Sequence, residues 1–86
     1  MSEPYWHVVI DDRARKDLRR IDPPTRQRIL RAIARLAQGA ELTGDIKRLQ
    51  GSHEYRLRVG DWRVIFVETA TTIEVRAVGN RRDIYK

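Results

Sequence analysis

The spacing of apolar residues divides the chain into an N-terminal helical part and a C-terminal part made of strands. Ala14, Leu18 and Ile21 recur at intervals of four and three residues, which places them on one face of a helix. An aspartate at position 11 or 12 can cap this helix, so we predict it from there to about Ile21. The preceding segment, Trp6–Ile10, is rich in strand-forming residues and predicts a first strand.

A second helix is predicted from Pro23 to Gln38. Proline is compatible with the first turn of a helix, whose N–H groups have no intrahelical acceptor, and Gly39 favours termination after the last turn. Four arginines lie outside the apolar stripe of this helix, so the helical hairpin should have a strongly basic exterior. The apolar positions are Ile29, Leu30, Ile33, Leu36 and Ala37, and the arginines are Arg26, Arg28, Arg31 and Arg35.

The second half of the chain has the patterns of strands. Residues 41–52 are predicted to form a loop, which can include a short strand near Ile46–Leu49. The segment Val64–Val67 is apolar at every position, which favours a central strand. The three strands predicted after the loop are Glu54–Val59, Trp62–Glu68 and Thr72–Val78.

Glycines define the connections and the end of the predicted sheet. Gly60–Asp61 suits a two-residue turn with glycine at its first position. Gly79–Asn80 is expected to end the last strand and to direct the tail across the end of the sheet. The predicted fold is a single α+β domain over residues 1–86, in the order β-α-α-β-β-β. A curved antiparallel sheet should carry the helical hairpin on one face.

The turn determines which residues of the two strands lie opposite each other. With the glycine–aspartate pair in the turn, Arg58 faces Arg63 and Arg56 faces Ile65. Alternation then places the arginines on one face and the apolar residues on the other. Opposed arginines repel, so three together favour a bound anion such as a phosphate of RNA; the alternative is a solvated face on which arginine stems shield Ile65. The apolar face, which the helices can cover, consists of Tyr55, Leu57, Val59, Trp62, Val64 and Phe66.

The composition points to an anionic partner. The 86 residues include 15 arginines and 3 lysines against 12 acidic residues, which gives a net charge of +6 at neutral pH. Such a surface fits phosphate groups or an acidic protein. An arginine-rich composition with solvated charged faces would have the same charge, so composition alone leaves both interpretations open.

Several classes of function are excluded. The chain has no cysteine, which rules out disulfide scaffolds, thiolate zinc sites and cysteine nucleophiles. His7 and His53 lie far apart without a partnering motif, so neither a metal site nor another cofactor is predicted. No apolar run is long enough to span a membrane, and the N-terminus has no signal-peptide pattern, so we expect a cytoplasmic protein.

Two segments of the second half carry a specific family pattern. They are residues 55–66, YRLRVGDWRVIF, and residues 78–85, VGNRRDIY. With Ala14, Asp17 and Leu18 in the first predicted helix, they resemble the RelE family. Members of this family are the toxins of bacterial and archaeal toxin–antitoxin pairs, within the wider RelE/ParE superfamily. The resemblance covers nearly the whole chain.

The resemblance implies an enzyme, a ribosome-dependent mRNA endonuclease or mRNA interferase. Such toxins enter the ribosomal A site, where a ribose 2′-hydroxyl attacks the adjacent phosphate without a metal. Arginines would orient that phosphate and stabilise its extra negative charge, and Tyr85 is the candidate general base because nearby cations favour phenolate. Well-known members carry lysines where this chain has Arg56 and Arg58, so the proton donor is unassigned. The residues that match the family's catalytic set are Arg56, Arg58, Arg63, Arg81 and Tyr85.

The same resemblance implies partners. The ribosome and mRNA are the expected targets, and an acidic cognate antitoxin, partly disordered before binding, is expected to neutralise the toxin. The alternative is a ParE-like toxin, which shares the fold and inhibits DNA gyrase by binding it, although ParE-type chains generally lack the arginine–tyrosine set. The basic residues expected to contact RNA or the ribosome are Arg26, Arg28, Arg31, Arg35, Lys47, Arg48 and Arg82.

Overall fold

The computed structural model describes residues 7–39, 45–69 and 71–82, which contain two helices and five strands. Neither of these helices is long and apolar enough to cross a membrane. The elements are β1 (His7–Ile10), α1 (Asp12–Arg19), α2 (Pro23–Ala37), β2 (Ile46–Arg48), β3 (Glu54–Val59), β4 (Trp62–Glu68) and β5 (Thr72–Asn80).

The strands form one mixed sheet in the order β1-β5-β4-β3-β2. The last four strands are an antiparallel meander, whereas β1 runs parallel to β5 with Val9 opposite Glu74. The predicted α+β class is confirmed, and the short strand allowed near Ile46–Leu49 forms as β2, which adds a fifth strand to the predicted β-α-α-β-β-β order. The expectation of an antiparallel sheet is wrong for β1. Parallel neighbours need a long crossover, and both helices lie in the chain between these strands. Apolar alternation carries no information on strand direction.

The last strand is longer than predicted. Gly79 and Asn80 continue β5 and pair with Arg63 and Trp62, so they extend the strand rather than ending it. Pairing with the start of β4 satisfies backbone hydrogen-bonding groups of Gly79 and Asn80, and this gain outweighs the weak strand propensity of glycine and asparagine. A bulge inserts Arg76 between the Phe66–Val75 and Ile65–Ala77 pairs. The tail predicted to cross the sheet end, residues 83–86, lies outside the described residues.

Aspartate caps position both helices. The side chain of Asp11 accepts a hydrogen bond from the N–H of Ala14 at 3.0 Å, and that of Asp22 accepts from the N–H and hydroxyl of Thr25 at 3.1 and 2.8 Å. These hydrogen bonds from Thr25 lower the pKa of Asp22. The first helix ends at Arg19, two residues before the predicted end, and Ile21 is a buried residue of the connection. Gly39 follows α2 with a φ of +80°.

The helices pack on one face of the sheet and enclose the core. Leu57, Val64 and Phe66 from β3 and β4 are at most 1% exposed, which confirms the predicted apolar face. Tyr55 stacks on Phe66 with ring centroids 5.5 Å apart. The opposite face, called the open face here, is therefore the one that carries the predicted arginines. The helices and β5 complete the core through Ala14, Leu18, Ile21, Ile29, Ile33, Ala37, Ile73, Val75 and Val78.

Candidate functional site

Positive charge is concentrated on the open face at the end nearest the β3–β4 turn. The predicted strand register is confirmed, with Arg58 opposite Arg63 and Arg56 opposite Ile65. Lys47 of β2 lies opposite Arg56 and extends the same face. The sheet thus aligns cationic residues from three neighbouring strands. We call this set, with the residue that follows β5, the turn-end cluster: Lys47, Arg56, Arg58, Arg63 and Arg81.

The turn itself holds two members of the cluster. Gly60 has a φ of +60° while that of Asp61 is not positive, which matches the predicted turn with glycine first. Arg63 donates from Nη1 to the carbonyl oxygens of Gly60 and Trp62 at 3.0 and 3.1 Å. The backbone N–H of Arg81 donates to the carbonyl of Asp61 at 2.8 Å. The hydrogen bond from Arg81 holds the end of β5 beside the turn.

Arg58 has a carboxylate partner. Its Nη2 lies 3.2 Å from Oδ1 of Asp45, and its backbone N–H donates to the carbonyl of Asp45 at 2.7 Å. The two side chains are 52% and 42% exposed, so this ion pair contributes about 1 kcal/mol or less. A weak pair of this kind leaves the guanidinium available to a stronger anionic ligand.

The open face also has an apolar floor. Ile65 is 7% exposed and Ala77 is 5% exposed, although both lie on the face that the helices do not cover. Arg56 lies directly opposite Ile65 and is itself half-buried. The two interpretations of the arginine cluster are therefore compatible, because the stems can shield apolar residues while the guanidinium groups carry the charge.

The opposite end of the open face has balanced charges. Arg76 donates from Nη1 to Glu74 at 2.7 Å, and its Nε lies 3.9 Å from a carboxylate oxygen of Asp11. The hydrogen bond to Glu74, followed by the attraction of that carboxylate, raises the pKa of Arg76. We call these three residues the Arg76 network. Folding alone accounts for this arginine, because its own chain supplies the counter-charges.

The seven residues predicted to contact RNA or the ribosome do not form a single surface. Arg26 is directed to α1, where its Nη1 donates to the carbonyl of Leu18 at 3.4 Å. Arg48 donates from Nε to the carbonyl of Ser52 at 3.4 Å, and Arg82 is exposed after β5. The other three arginines of α2 line a groove against the end of β3, together with Arg58 of the turn-end cluster. They are Arg28, Arg31 and Arg35.

Tyr85 and the two histidines are the remaining residues that the sequence analysis singled out. Tyr85 lies outside the described residues. His7 is exposed in β1 and His53 is exposed before β3. Across residues 7–39, 45–69 and 71–82, no group of three or more histidine or acidic side chains is placed to hold a metal ion.

Sequence reasoning missed the contacts that two aspartates make. Asp45 precedes β2 and pairs with Arg58; extending the β2–β3 register by one residue beyond Ile46 would have placed it there. Asp17 of α1 accepts a hydrogen bond from the N–H of Val78 at 2.9 Å through Oδ2. The described pairing of β1 with β5 stops at Val75, so Asp17 satisfies a β5 edge group beyond it.

Comparisons with known proteins identify the family. The model of the family described as ParE toxin of type II toxin–antitoxin system matches residues 8–85. The chain is 35% identical over 74 residues to Toxin RelE3 of Methanocaldococcus jannaschii, covering 81% of this chain and 84% of that protein.

Solved structures of similar proteins agree. The RelB–RelE antitoxin–toxin complex from Methanococcus jannaschii matches with a TM-score of 0.73 and 30% identity, covering 90% of this chain and 94% of that one. The toxin–antitoxin complex RelBE2 from Mycobacterium tuberculosis matches with a TM-score of 0.63 and 28% identity, covering 96% and 98%. The chain therefore belongs to the RelE family of type II toxins, within the RelE/ParE superfamily.

Proposed function

We propose that this toxin is a ribosome-dependent mRNA interferase that cleaves codons in the ribosomal A site. The observation that carries the proposal is the turn-end cluster, in which β3, β4 and the end of β5 bring cationic residues to one end of the open face. The 35% identity to a RelE toxin supports the same class. Opposed arginines gain nothing from folding, whereas a phosphodiester would neutralise them.

The proposed reaction is an internal transfer at phosphorus. The ribose 2′-oxygen forms a bond to phosphorus as the bond from phosphorus to the 5′-oxygen breaks. The products are a 2′,3′-cyclic phosphate and a free 5′-hydroxyl. The proton of the 2′-hydroxyl passes to the Tyr85 phenolate, and the 5′-oxygen takes its proton from water, because arginine side chains retain theirs.

The cluster residues have distinct parts in this proposal. Arg58, Arg63 and Arg81 stabilise the additional negative charge on the phosphate as it becomes five-coordinate. Arg63 is well suited, because its bonds to the carbonyls of Gly60 and Trp62 hold the guanidinium in place before RNA binds. The ribosome and the paired codon supply the alignment of the 2′-oxygen, which is why so small a site suffices.

The proposed partner is a cognate antitoxin. The similar proteins from M. jannaschii and M. tuberculosis are both found in toxin–antitoxin complexes. We assign this chain an antitoxin with acidic segments, because its own net charge is +6. Toxin and antitoxin would meet in the cytoplasm, where the ribosomes are.

The test is primer extension on an mRNA in a purified translation system, with and without ribosomes. The wild type should produce ribosome-dependent cuts at A-site codons, and both Arg81→Ala and Tyr85→Phe should slow them about 100-fold or more. Arg76→Ala is the matched control, since it removes an arginine from the same face but from a charge-balanced network; it should stay within about twofold. Absence of cuts by folded wild type would reject the interferase activity.

A ParE-like activity is the second candidate, favoured by the family model that matches residues 8–85. In that case the turn-end cluster would be the surface through which the toxin binds DNA gyrase. A supercoiling assay distinguishes the two functions, because a ParE-like toxin inhibits gyrase at concentrations that leave mRNA intact. Inhibition of supercoiling without ribosome-dependent cuts would support this second function.

A further inference from the structure

A small pocket lies between the C-terminal end of α1 and the strand ends that meet beside the β3–β4 turn. We call it the α1–β4 pocket. It has a volume of about 220 Å³, and its lining includes Asp17 and Arg20 from the helical side, Trp62 from β4 and Gly79 from β5. A cavity of about 150 Å³ accommodates a benzene ring, whereas sites for drug-sized ligands begin at about 300 Å³. The pocket therefore matches one small ring system.

The position of the pocket connects it to the candidate active site. Trp62 precedes Arg63 in β4, and the lining residue Asn80 precedes Arg81 at the end of β5. Alternation places Trp62 on the face that the helices cover, so the pocket and the turn-end cluster lie on opposite faces at the same end of the sheet. A strand of RNA that binds the cluster through a phosphate can place a neighbouring base at the pocket by passing around this end.

One wall of the pocket is aromatic. Trp62 is half-buried and packs against the core, so its ring is held in position while part of it stays accessible. Gly79 also lines the pocket and adds no side chain to it. Unpaired RNA bases bind proteins by stacking on aromatic rings and by hydrogen bonds to the edges of the base. The aromatic wall thus favours a nucleobase as the ligand.

The polar groups of the pocket are an acceptor and a donor. Asp17 and Arg20 are three residues apart, which places them side by side, yet they form no ion pair with each other. Oδ2 of Asp17 accepts from the N–H of Val78 at 2.9 Å and lies 3.9 Å from Nε of Arg13, while Oδ1 has no partner within the described part of the chain. The exposed side chain of Arg20 has no partner among those residues either. A carboxylate oxygen and a guanidinium therefore remain available at the pocket.

This pair of groups matches guanine. The N1–H and the 2-amino group of guanine are adjacent donors for a carboxylate, and its O6 and N7 are the acceptors that arginine binds with two parallel hydrogen bonds. These two edges of the base are adjacent, as are the two side chains. Adenine has an amino donor where guanine has O6, and the pyrimidines have no N7, so none of them satisfies both groups.

We propose that the α1–β4 pocket binds an unpaired guanine of RNA. The base stacks on Trp62, donates to Asp17 and accepts from Arg20. The inference rests on the proposed function, to which it adds a base-specific contact outside the turn-end cluster. Guanine has two sources on a programmed ribosome, the codon beside the cut and the ribosomal RNA, and both present the same chemistry.

The first measurement follows the fluorescence of Trp6→Phe toxin, in which Trp62 is the one remaining tryptophan, as short single-stranded RNAs are added. The probes are an oligouridine with one central guanine and the same chain with inosine, which lacks the 2-amino group, or with 7-deazaguanine, which lacks N7. Each replacement should weaken binding about tenfold. Since only the RNA changes, protein stability does not affect the comparison. Equal affinity for the three probes and for plain oligouridine would overturn the proposal.

Arg20→Ala tests the contact with N7. This variant should bind guanine RNA about tenfold more weakly than wild type, and it should no longer distinguish 7-deazaguanine from guanine while still distinguishing inosine. Arg19→Ala is the matched control, since it removes the same charge from an exposed neighbour that is not among the described residues lining the pocket. It should keep both preferences and lose less than about threefold in affinity. If folded Arg20→Ala still distinguishes 7-deazaguanine, the proposed orientation of the base is overturned.

The cleavage assay identifies the source of the guanine and separates this proposal from the proposed function. Inosine in place of the codon guanine should slow cleavage about tenfold if the codon is the source, whereas Arg20→Ala should slow cleavage of every codon equally if ribosomal RNA is the source. If wild type distinguishes guanine in the binding assay but cuts no mRNA, the pocket stands and the interferase activity fails. If wild type cuts mRNA and neither change alters the rate, the interferase activity stands and the pocket is rejected.

Discussion

The two ends of the open face use arginine in opposite ways. In the Arg76 network, one guanidinium has a carboxylate at 2.7 Å and a second at 3.9 Å, both from the same chain. In the turn-end cluster, Arg58 lies opposite Arg63, and Arg58 pairs with Asp45 through an exposed ion pair. In the Arg76 network, carboxylates of the same chain balance the charge of the arginine. The turn-end cluster has an excess of positive charge that folding does not require, which is the physical reason to assign ligand binding to it.

The difference arises from what each strand end contributes. Near Arg76, the bulge in β5 adds a residue beside Glu74, and the end of β1 brings Asp11 within reach. Near the turn, Gly79 of β5 lies opposite Arg63 and adds no side chain between the strands. One end of the sheet is therefore filled by its own residues, while the other leaves room for an external group.

The largest expected difference between the two ends is in cleavage. Arg63→Ala should reduce single-turnover cleavage on programmed ribosomes about 100-fold, because it removes a held cation from the proposed phosphate site. Arg63→Lys keeps the charge but loses the planar fork that bonds two carbonyls, so it should recover only part of the rate.

Arg76→Ala is the control for both changes at Arg63. It should stay within about twofold of wild-type cleavage, since its charge is already balanced. Equal losses at Arg63 and Arg76 would show that overall positive charge, rather than the turn-end cluster, determines the activity.

Stability should respond to Asp17, the residue of α1 that accepts a hydrogen bond from β5. Asp17→Ala leaves the N–H of Val78 without its acceptor, which should lower the free energy of unfolding by about 1–3 kcal/mol. Asp17→Asn retains a side-chain oxygen and should lose less. Asp12→Ala, in the first turn of the same helix, should cost about 0.5 kcal/mol. Urea unfolding measures all three, and a loss at Asp17 no larger than at Asp12 would contradict the role of Asp17.

Most of the fold was predictable because local patterns and the turn agreed with each other. The bounds of β3 and β4 match the predicted strands, and the glycine-first turn correctly sets Arg58 opposite Arg63. The direction of β1 was not predictable in this way, because a strand has the same alternation in either direction. The end of β5 was predicted two residues early, since pairing with β4 outweighs the local preferences of Gly79–Asn80.

Part of the candidate site was also predictable. Register alone grouped Arg56, Arg58 and Arg63, whereas the family pattern was needed to add Arg81. The three arginines of α2 that line a groove with Arg58 were predicted as a basic helix surface, but the groove itself depends on how α2 packs against β3. That packing is a tertiary contact between segments far apart in sequence, which periodicity within one segment does not encode.

The smallest expected effect concerns Asp45, the acid that pairs with Arg58 of the turn-end cluster. Asp45→Asn removes the carboxylate that faces Arg58 and raises the local positive charge by one unit. A short single-stranded RNA should then bind about threefold more tightly at low salt, because one added charge near a phosphate is worth less than about 1 kcal/mol in water. Filter binding at two salt concentrations should show this gain decreasing at the higher concentration.

Glu74→Gln makes the same change of charge at the Arg76 network and is the matched control. If RNA binds at the turn-end cluster, Glu74→Gln should change its affinity less than Asp45→Asn does, because the added charge lies at the other end of the open face. Screening by salt shortens the range of each charge to about 10 Å at 0.1 M, so the two variants should differ more clearly at that concentration than in dilute buffer. If the two variants gain the same affinity for RNA at both salt concentrations, RNA binding responds to the net charge of the protein. The difference between the two ends of the open face would then have no part in RNA binding.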